Sequence, residues 1–382
     1  MSPEVATTPQ RSALRKLAQV RAEPRGVLSV YADLDPTLFP TPKARHTEAD
    51  ALTNEAKNRF VEGADVGHDE SNRRLETIER LSDVLNDPDI AKGGTHTLAV
   101  FAAPAADVFE VVRLPEPVAP TVLVDDTPFL RPIVNDVGPR RWVVALIDRR
   151  NARILYGGPE RLIEVESFED NVPSHQKQGG WSQARYQRHS DNAAQEHITN
   201  ACRRLFEFYE RVHFDALAVA SPDASYNEIV EALHPYLREV FQGRVRIEVD
   251  FPKPAQVLDC AQPLFAQTRE RATAELLDTL EEAARERVAT GPSDVLQALS
   301  ERRVDTLVID GDFATAGVRC PSCGWIGLDR STCPWDETKL EERPDVVDDA
   351  VDLALLQSAR VVTVDDDAER HPPKPLSALL RF

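Results

Sequence analysis

The sequence predicts a mixed α/β (α+β) protein organised as three domains. With 382 residues, the chain is long enough for two or three separate cores. Short apolar runs of strand character alternate with segments whose apolar residues recur at helical spacing. A cluster of prolines (Pro115, Pro117, Pro120, Pro128 and Pro132) closes off the first stretch of this alternation. The expected domains are 1–138, 139–258 and 259–382.

In the first domain, Val27–Tyr31 reads as a strand ending in the turn-forming Asp33-Leu-Asp-Pro36. Leu75, Ile78, Leu81 and Leu85 recur at the spacing of one buried helical face. Thr97–Phe101 and Val108–Val112 return to strand character, and the polar run Thr47–Asn72 reads as helix or as a partly mobile segment. In the second domain, Trp142–Ile147 is a strong strand, followed like a meander by Ala152–Tyr156 and Ile163–Ser167. A basic loop then leads into a helix carrying Ala194, Ile198, Cys202, Leu205, Tyr209 and Val212 on one face. Strand Ala216–Ala220, a helix through Ile229–Phe241 and strand Val245–Val249 complete it. The third domain opens with a long helix around Leu264–Val288. Gly291-Pro-Ser293 breaks that helix, with Ser293 as the expected N-cap of a short one. Strand Val304–Ile309, helix Val351–Ser358 and strand Val361–Val364 follow.

Composition bounds the function. No apolar run approaches the length of a membrane span, and Met1-Ser-Pro-Glu-Val lacks the basic-then-apolar pattern of a signal peptide. Three of the five cysteines lie between Cys320 and Cys333, a pattern of metal binding rather than of a disulfide framework. The cytoplasm is the expected compartment. A formal charge of −19 argues mildly against nucleic-acid binding, but the distribution of charge matters more than its sum. Many of the acids fall in Glu341–Asp352 and Asp365–Glu369, which read as solvated clusters.

Against that background, the stretch from Asn171 to Ser190 holds no Asp or Glu. Its centre, His175-Gln-Lys-Gln-Gly-Gly-Trp-Ser-Gln-Ala-Arg-Tyr-Gln-Arg-His189, combines adjacent glycines, a run of amides and spaced arginines. Gly179 and Gly180 permit close backbone approach to a ligand. Lys177, Arg185 and Arg188 suit RNA phosphate, and Trp181 suits stacking in an RNA-lined cavity. The order Gly-Gly-x-Ser-x-x-Arg-aromatic-x-Arg before a long helix resembles the catalytic loop of the archaeo-eukaryotic class I release factor family. That family includes Pelota and divergent bacterial relatives. In its best-known members Gln follows the glycines; here Trp181 holds that place, Ser182, Arg185 and Arg188 are kept, Tyr186 replaces Phe, and the nearest amide is Gln183.

The resemblance spans about 139–382 and extends only loosely to the first domain. It implies a ribonuclease H-like middle domain and a last domain similar to the α/β sandwich of kink-turn-binding proteins. It also implies a protein that enters the ribosomal A site and promotes hydrolysis of the peptidyl-tRNA ester. Gly179, Gly180 and Gln183 would be catalytic; Lys177, Trp181, Arg185 and Arg188 would contact RNA. An elongation-factor-like GTPase is an implied partner. Neither Asn-Ile-Lys-Ser nor Tyr-x-Cys-x-x-x-Phe occurs, so stop-codon reading is not expected. Two readings of the loop stay open. Gln183 orients water, or it merely begins the helix while Trp181 plugs the cavity, as in a non-catalytic Pelota- or Balon-like hibernation or dissociation factor.

Cys320-Pro-Ser-Cys323 and Cys333-Pro-Trp-Asp336 have the form of paired zinc knuckles separated by nine residues, with Asp336 where a fourth Cys is expected. The set either holds zinc or is a degenerate knuckle without metal. Cys202 and Cys260 read as core residues. His189, Asp191, Glu196 and His197 read as a solvated helix face rather than a metal site.

Overall fold

The computed structural model describes residues 6–7, 11–34, 41–63, 66–87, 97–114, 118–135, 137–159, 161–170, 183–247, 251–364, 368 and 370–382. Side chains at 6–7, 11, 42 and 183–189 lie outside the description. The fold is mixed α/β, with three larger sheets and one small one. Contacts divide the chain into two compact units: Met1–Val137 with Ala272–Phe382, and Gly138–Arg271. Among the described residues, no helix is long and apolar enough to cross a membrane.

The first sheet belongs to the first unit. Its elements are β1 (Ala6–Thr7), α1 (Arg11–Ala18), β2 (Val27–Asp33), α2 (Pro42–Lys57), α3 (His68–Leu85), β3 (Thr97–Ala103), β4 (Val108–Leu114) and β5 (Thr121–Asp125). Strand order is β1-β4-β3-β2-β5, antiparallel except where β1 meets β4. Alternation sorts its side chains. Leu28, Val30, Leu98 and Val100 face α2 and α3, whereas Tyr31, Ala99 and Phe101 join α1 and the C-terminal residues in another core. Ile78, Leu81 and Leu85 are buried as their spacing predicts, but Leu75 is exposed, and Arg74 and Thr77 take the buried face in its turn.

The second unit is a sheet layered between helices. It comprises β6 (Trp142–Ile147), β7 (Asn151–Gly158), β8 (Arg161–Glu169), α4 (Gln183–Val212), β9 (Ala216–Ala220), α5 (Asp223–Ala232), α6 (Pro235–Glu239), β10 (Phe241–Arg244) and most of α7 (Pro254–Glu282). Strand order is β10-β9-β6-β7-β8, with β10, β9 and β6 parallel and the rest antiparallel. β6 is apolar throughout because both faces are covered. Val143, Ala145 and Ile147 pack with α4, and Trp142 and Val144 pack with α7. The rings of Trp142 and Phe265 lie 4.2 Å apart. Ala194, Ile198, Cys202 and Leu205 are buried on α4, with Tyr209 and Val212 packed beside them.

Three expectations in this unit need correction. The helix expected through Ile229–Phe241 is two, because Pro235 drives His234 to an extended conformation (ψ 145°). The last strand is Phe241–Arg244, earlier than Val245–Val249, although Val245 N–H still donates to Val219 (2.9 Å); residues 248–250 lie outside the description. Cys260 is exposed, on the outward face of α7.

The C-terminal residues of the first unit form β11 (Val288–Thr290), α8 (Pro292–Ser300), β12 (Val304–Asp310), β13 (Gly317–Arg319), β14 (Ile326–Gly327), β15 (Glu341–Arg343), α9 (Val346–Leu356), β16 (Arg360–Val364) and β17 (Leu376–Leu380). One sheet runs β11-β17-β12-β16, and β14-β13-β15 forms a small antiparallel one. The long helix therefore begins at Pro254 and ends at Glu282, and Val288 belongs to a strand. Ser293 is not the cap of α8: Gly291, at φ 90°, holds that place without a side-chain bond, and Pro292 starts the helix. α9 starts five residues earlier than expected, because the Asp345 carboxylate accepts from Val347 N–H (3.0 Å) and caps it.

Candidate functional site

The Gly-Gly loop falls between β8 and α4. Lys177, Gly179, Gly180 and Trp181 lie outside the described residues, while Gln183 is the first residue of α4 and Arg185 and Arg188 follow in its first two turns. The loop's two roots are described. At the strand side, Asp170 N–H donates to the Arg150 carbonyl in the β6–β7 turn (2.9 Å). That turn is held by Asp148 Oδ1, which accepts from Arg150 N–H (2.6 Å) and Asn151 N–H (2.7 Å). At the helix side, Arg149 pairs with Asp191 (2.7 Å).

His197 corrects the expectation of a solvated helix face. Its side chain is fully buried, and Nδ1 lies 2.7 Å from Asp170 Oδ2. Asn200 Nδ2 also reaches that oxygen (3.4 Å). The His197 bond is the largest influence holding the Asp170 carboxyl below its ordinary value, with Asn200 adding to it. Nothing in the local sequence announces this pair, because Asp170 and His197 meet only once the helix has packed on the sheet.

The cysteine set comes together as its spacing predicts. Ligand atoms of Cys320, Cys323, Cys333 and Asp336 all lie within 4.8 Å of one another. The Cys323 and Cys333 sulfurs are 3.5 Å apart, and Cys320 Sγ is 3.5 and 3.6 Å from the two Asp336 oxygens. Bond lengths of about 2.3 Å to sulfur and about 2.0–2.2 Å to oxygen put tetrahedral zinc ligands about 3.5–3.8 Å apart. The residues therefore fit such an ion. The β13–β14 hairpin carries the first pair, and backbone N–H groups of Cys323 and Trp335 donate to Cys320 Sγ (3.5 Å) and Cys333 Sγ (3.4 Å). Burial pushes the Cys320 thiol up, but bonds from the Cys323 and Ser322 backbone and from the Cys323 and Cys333 side chains outweigh it and bring the thiol below its ordinary value, whereas burial pushes the Cys323 thiol up to about 12. Gly327 lets the Trp325 ring lie against the backbone, since an added Cβ would meet that ring at 2.2 Å.

The acidic run Glu341–Asp352 is not uniformly solvated. Asp349 and Asp352 are buried, 1% and 2% exposed. Arg319 donates to Asp349 Oδ1 (2.5 Å) and Arg343 Nε to Oδ2 (2.8 Å), and Arg343 also grips Asp125 through both terminal nitrogens (3.2 and 3.1 Å). Burial pushes the Asp348 carboxyl up to about 7 and the Asp352 carboxyl well above its usual range. Residues 365–367 and 369 of the other acidic cluster lie outside the description.

Residues 128–266 match the family described as Bacterial archaeo-eukaryotic release factor family 10. Peptide chain release factor subunit 1 of Methanopyrus kandleri is 25% identical over 234 residues, which cover 58% of this chain and 56% of that protein. The chain thus spans a little over half the length of that relative. The protein of the same name from Thermoplasma acidophilum is 21% identical over 301 residues, 72% of each chain. Among solved structures, Pelota of Archaeoglobus fulgidus is 14% identical, with coverage of 98% of this chain and 93% of that one and a TM-score of 0.41.

Proposed function

We propose that this chain, a divergent bacterial-type member of the archaeo-eukaryotic release factor and Pelota family, is a ribosome-associated release or rescue factor. It enters the A site and promotes hydrolysis of the peptidyl-tRNA ester without reading a stop codon. The observation that carries this reading is the family match over 128–266, which encloses Gly179-Gly180 between β8 and α4. The chemistry asks little of protein acids or bases. Gly179 and Gly180 let the backbone approach the ester closely. An amide oriented on the attacking water or the developing oxyanion is worth on the order of 10²–10³ in rate, and Gln183 is its source in this reading. Lys177, Arg185 and Arg188 contact rRNA or tRNA phosphate, and Trp181 stacks on RNA. Ribosomal RNA and peptidyl-tRNA are the proposed partners, with an elongation-factor-like GTPase for delivery.

Cys320, Cys323, Cys333 and Asp336 would hold one zinc ion in a closed structural site. The ligand spacing supports this assignment. Such an ion would tie Cys320 and Cys323 to Cys333 and Asp336.

The test uses purified protein and ribosomes holding labelled peptidyl-tRNA. Wild type releases peptide, whereas Gly180→Ala and Gln183→Ala each slow release by about tenfold or more while circular dichroism stays unchanged. Wild-type release by Gln183→Ala would remove the side chain from the mechanism. A second reading is favoured by Trp181 standing where relatives of this family carry Gln: a non-catalytic factor that occupies the A site in idle or stalled ribosomes. Tight ribosome binding by wild type, with no release from any stalled complex, selects it.

A further inference from the structure

We propose that His197 and Asp170 are a positioning pair for the Gly-Gly loop, a hydrogen bond between a buried imidazole and a half-exposed carboxylate that fixes the end of β8 against α4, the helix the loop rejoins. The proposal rests on the loop's role in the proposed function. It concerns residues that neither the loop sequence nor the family match singles out. Asp170 is the last described residue before the loop, one place beyond the end of β8. Its partner His197 sits within α4, which the loop rejoins at Gln183. At 1.5 Å per residue, the bond is about 20 Å along the helix axis from that first residue. The end of β8 is thus tied to the body of α4 by this contact.

Several features make this contact a fixed one. The His197 ring is wholly buried, beside Phe168 at a centroid distance of 5.6 Å. Its Nδ1–H donates to the Asp170 carboxylate; Nε2 is buried and meets no hydrogen-bond partner among the described residues. A buried ring with a single bond depends on that bond for its orientation. Asn200 reaches the same carboxylate oxygen from the next turn of α4. On the other side, Asp170 N–H is bonded to Arg150 O in a turn that Asp148 locks, and Arg149 in that turn reaches α4 again at Asp191. The β6–β7 turn, the end of β8 and α4 are therefore knitted together where the loop departs. A loop that acts by placing groups gains its rate from such a root, since a misplacement of about 1 Å costs up to about 10²-fold. His197 and Asp170 need not touch the substrate.

The test pairs a disrupting and a conserving change. His197→Ala and Asp170→Ala remove the bond. His197→Asn keeps an N–H donor near the position of Nδ1. Peptide release at saturating factor is expected to fall about 10–100-fold in both Ala variants, with the half-saturating concentration unchanged and with His197→Asn restoring most of the rate. The double Ala variant should lose no more than either single one. Independently of release, tryptic cleavage after Lys177, Arg185 and Arg188 is followed by mass spectrometry in the absence of ribosomes. It should accelerate severalfold in the Ala variants and stay near wild type in His197→Asn, while cleavage elsewhere is unchanged. Wild-type release and cleavage rates in the Ala variants overturn the proposal, as does an Asn variant that behaves like Ala. If wild type releases no peptide, the hydrolytic reading fails and the cleavage rates alone decide the positioning pair.

Discussion

Single side chains in this protein take their properties from neighbours far along the chain. Asp348 belongs to a run of acids that reads as surface, yet burial and the nearby Asp345 push its carboxyl up to about 7 against the opposing pull of Arg131. A folded-state value above the unfolded one, about 4, means that the folded protein holds the proton more tightly. The stability Asp348 contributes is full below about pH 4 and is lost as pH rises through about 7. Asp348→Asn, which keeps size without charge, is therefore expected to stabilise the protein by roughly 1–3 kcal/mol at pH 8 and to change little at pH 4. Denaturant melts of the two proteins at both pH values measure this. An equal effect at the two would show that the carboxyl's titration plays no part. Asp352 shifts in the same direction, and burial is again the largest cause.

At the scale of elements, the knuckle is the segment whose geometry was closest to legible. CxxC and CxxD spacings place the ends of each pair together through tight local turns, and the three sulfurs and the carboxylate converge within one short segment. Protein purified without chelator should carry about one equivalent of zinc by elemental analysis. Cys320→Ser should lose it, and Asp336→Ala should weaken retention less if water takes the carboxylate's place. A metal-free protein whose melting is indifferent to EDTA would remove zinc from the site. Helix interiors were legible for the same local reason, as Ala194, Ile198, Cys202 and Leu205 show. Strands were less so. β17 lies between β11 and β12 in its sheet, and β5 pairs with β2, yet both escaped the pattern. Each short apolar segment directly follows a proline (Pro120 and Pro375), and only pairing with strands elsewhere in the chain makes them part of a sheet.

The whole chain is acidic, with a formal charge of −19, so any RNA-binding face must be confined. Ribosome association is expected to weaken in Arg185→Glu with Arg188→Glu, most visibly at moderate salt, and each lost phosphate contact should flatten the salt dependence by about one unit of slope. Sedimentation with ribosomes carrying a sense, stop or empty A site measures it. A strict requirement for a stop codon would contradict the proposed function. The sequence alone was sufficient for the mixed α/β class, the helical face of α4, the clustering of Cys320, Cys323, Cys333 and Asp336, and the acid-free stretch, all of which depend on residues near one another in the chain. Tertiary structure alone decided that Asp349 is buried between Arg319 and Arg343, that Arg343 reaches Asp125 across 218 positions, and that His197 holds Asp170 at the loop's root. A charge or an imidazole can be buried only where its partner is delivered, and in each case that partner lies on an element the local pattern does not contain.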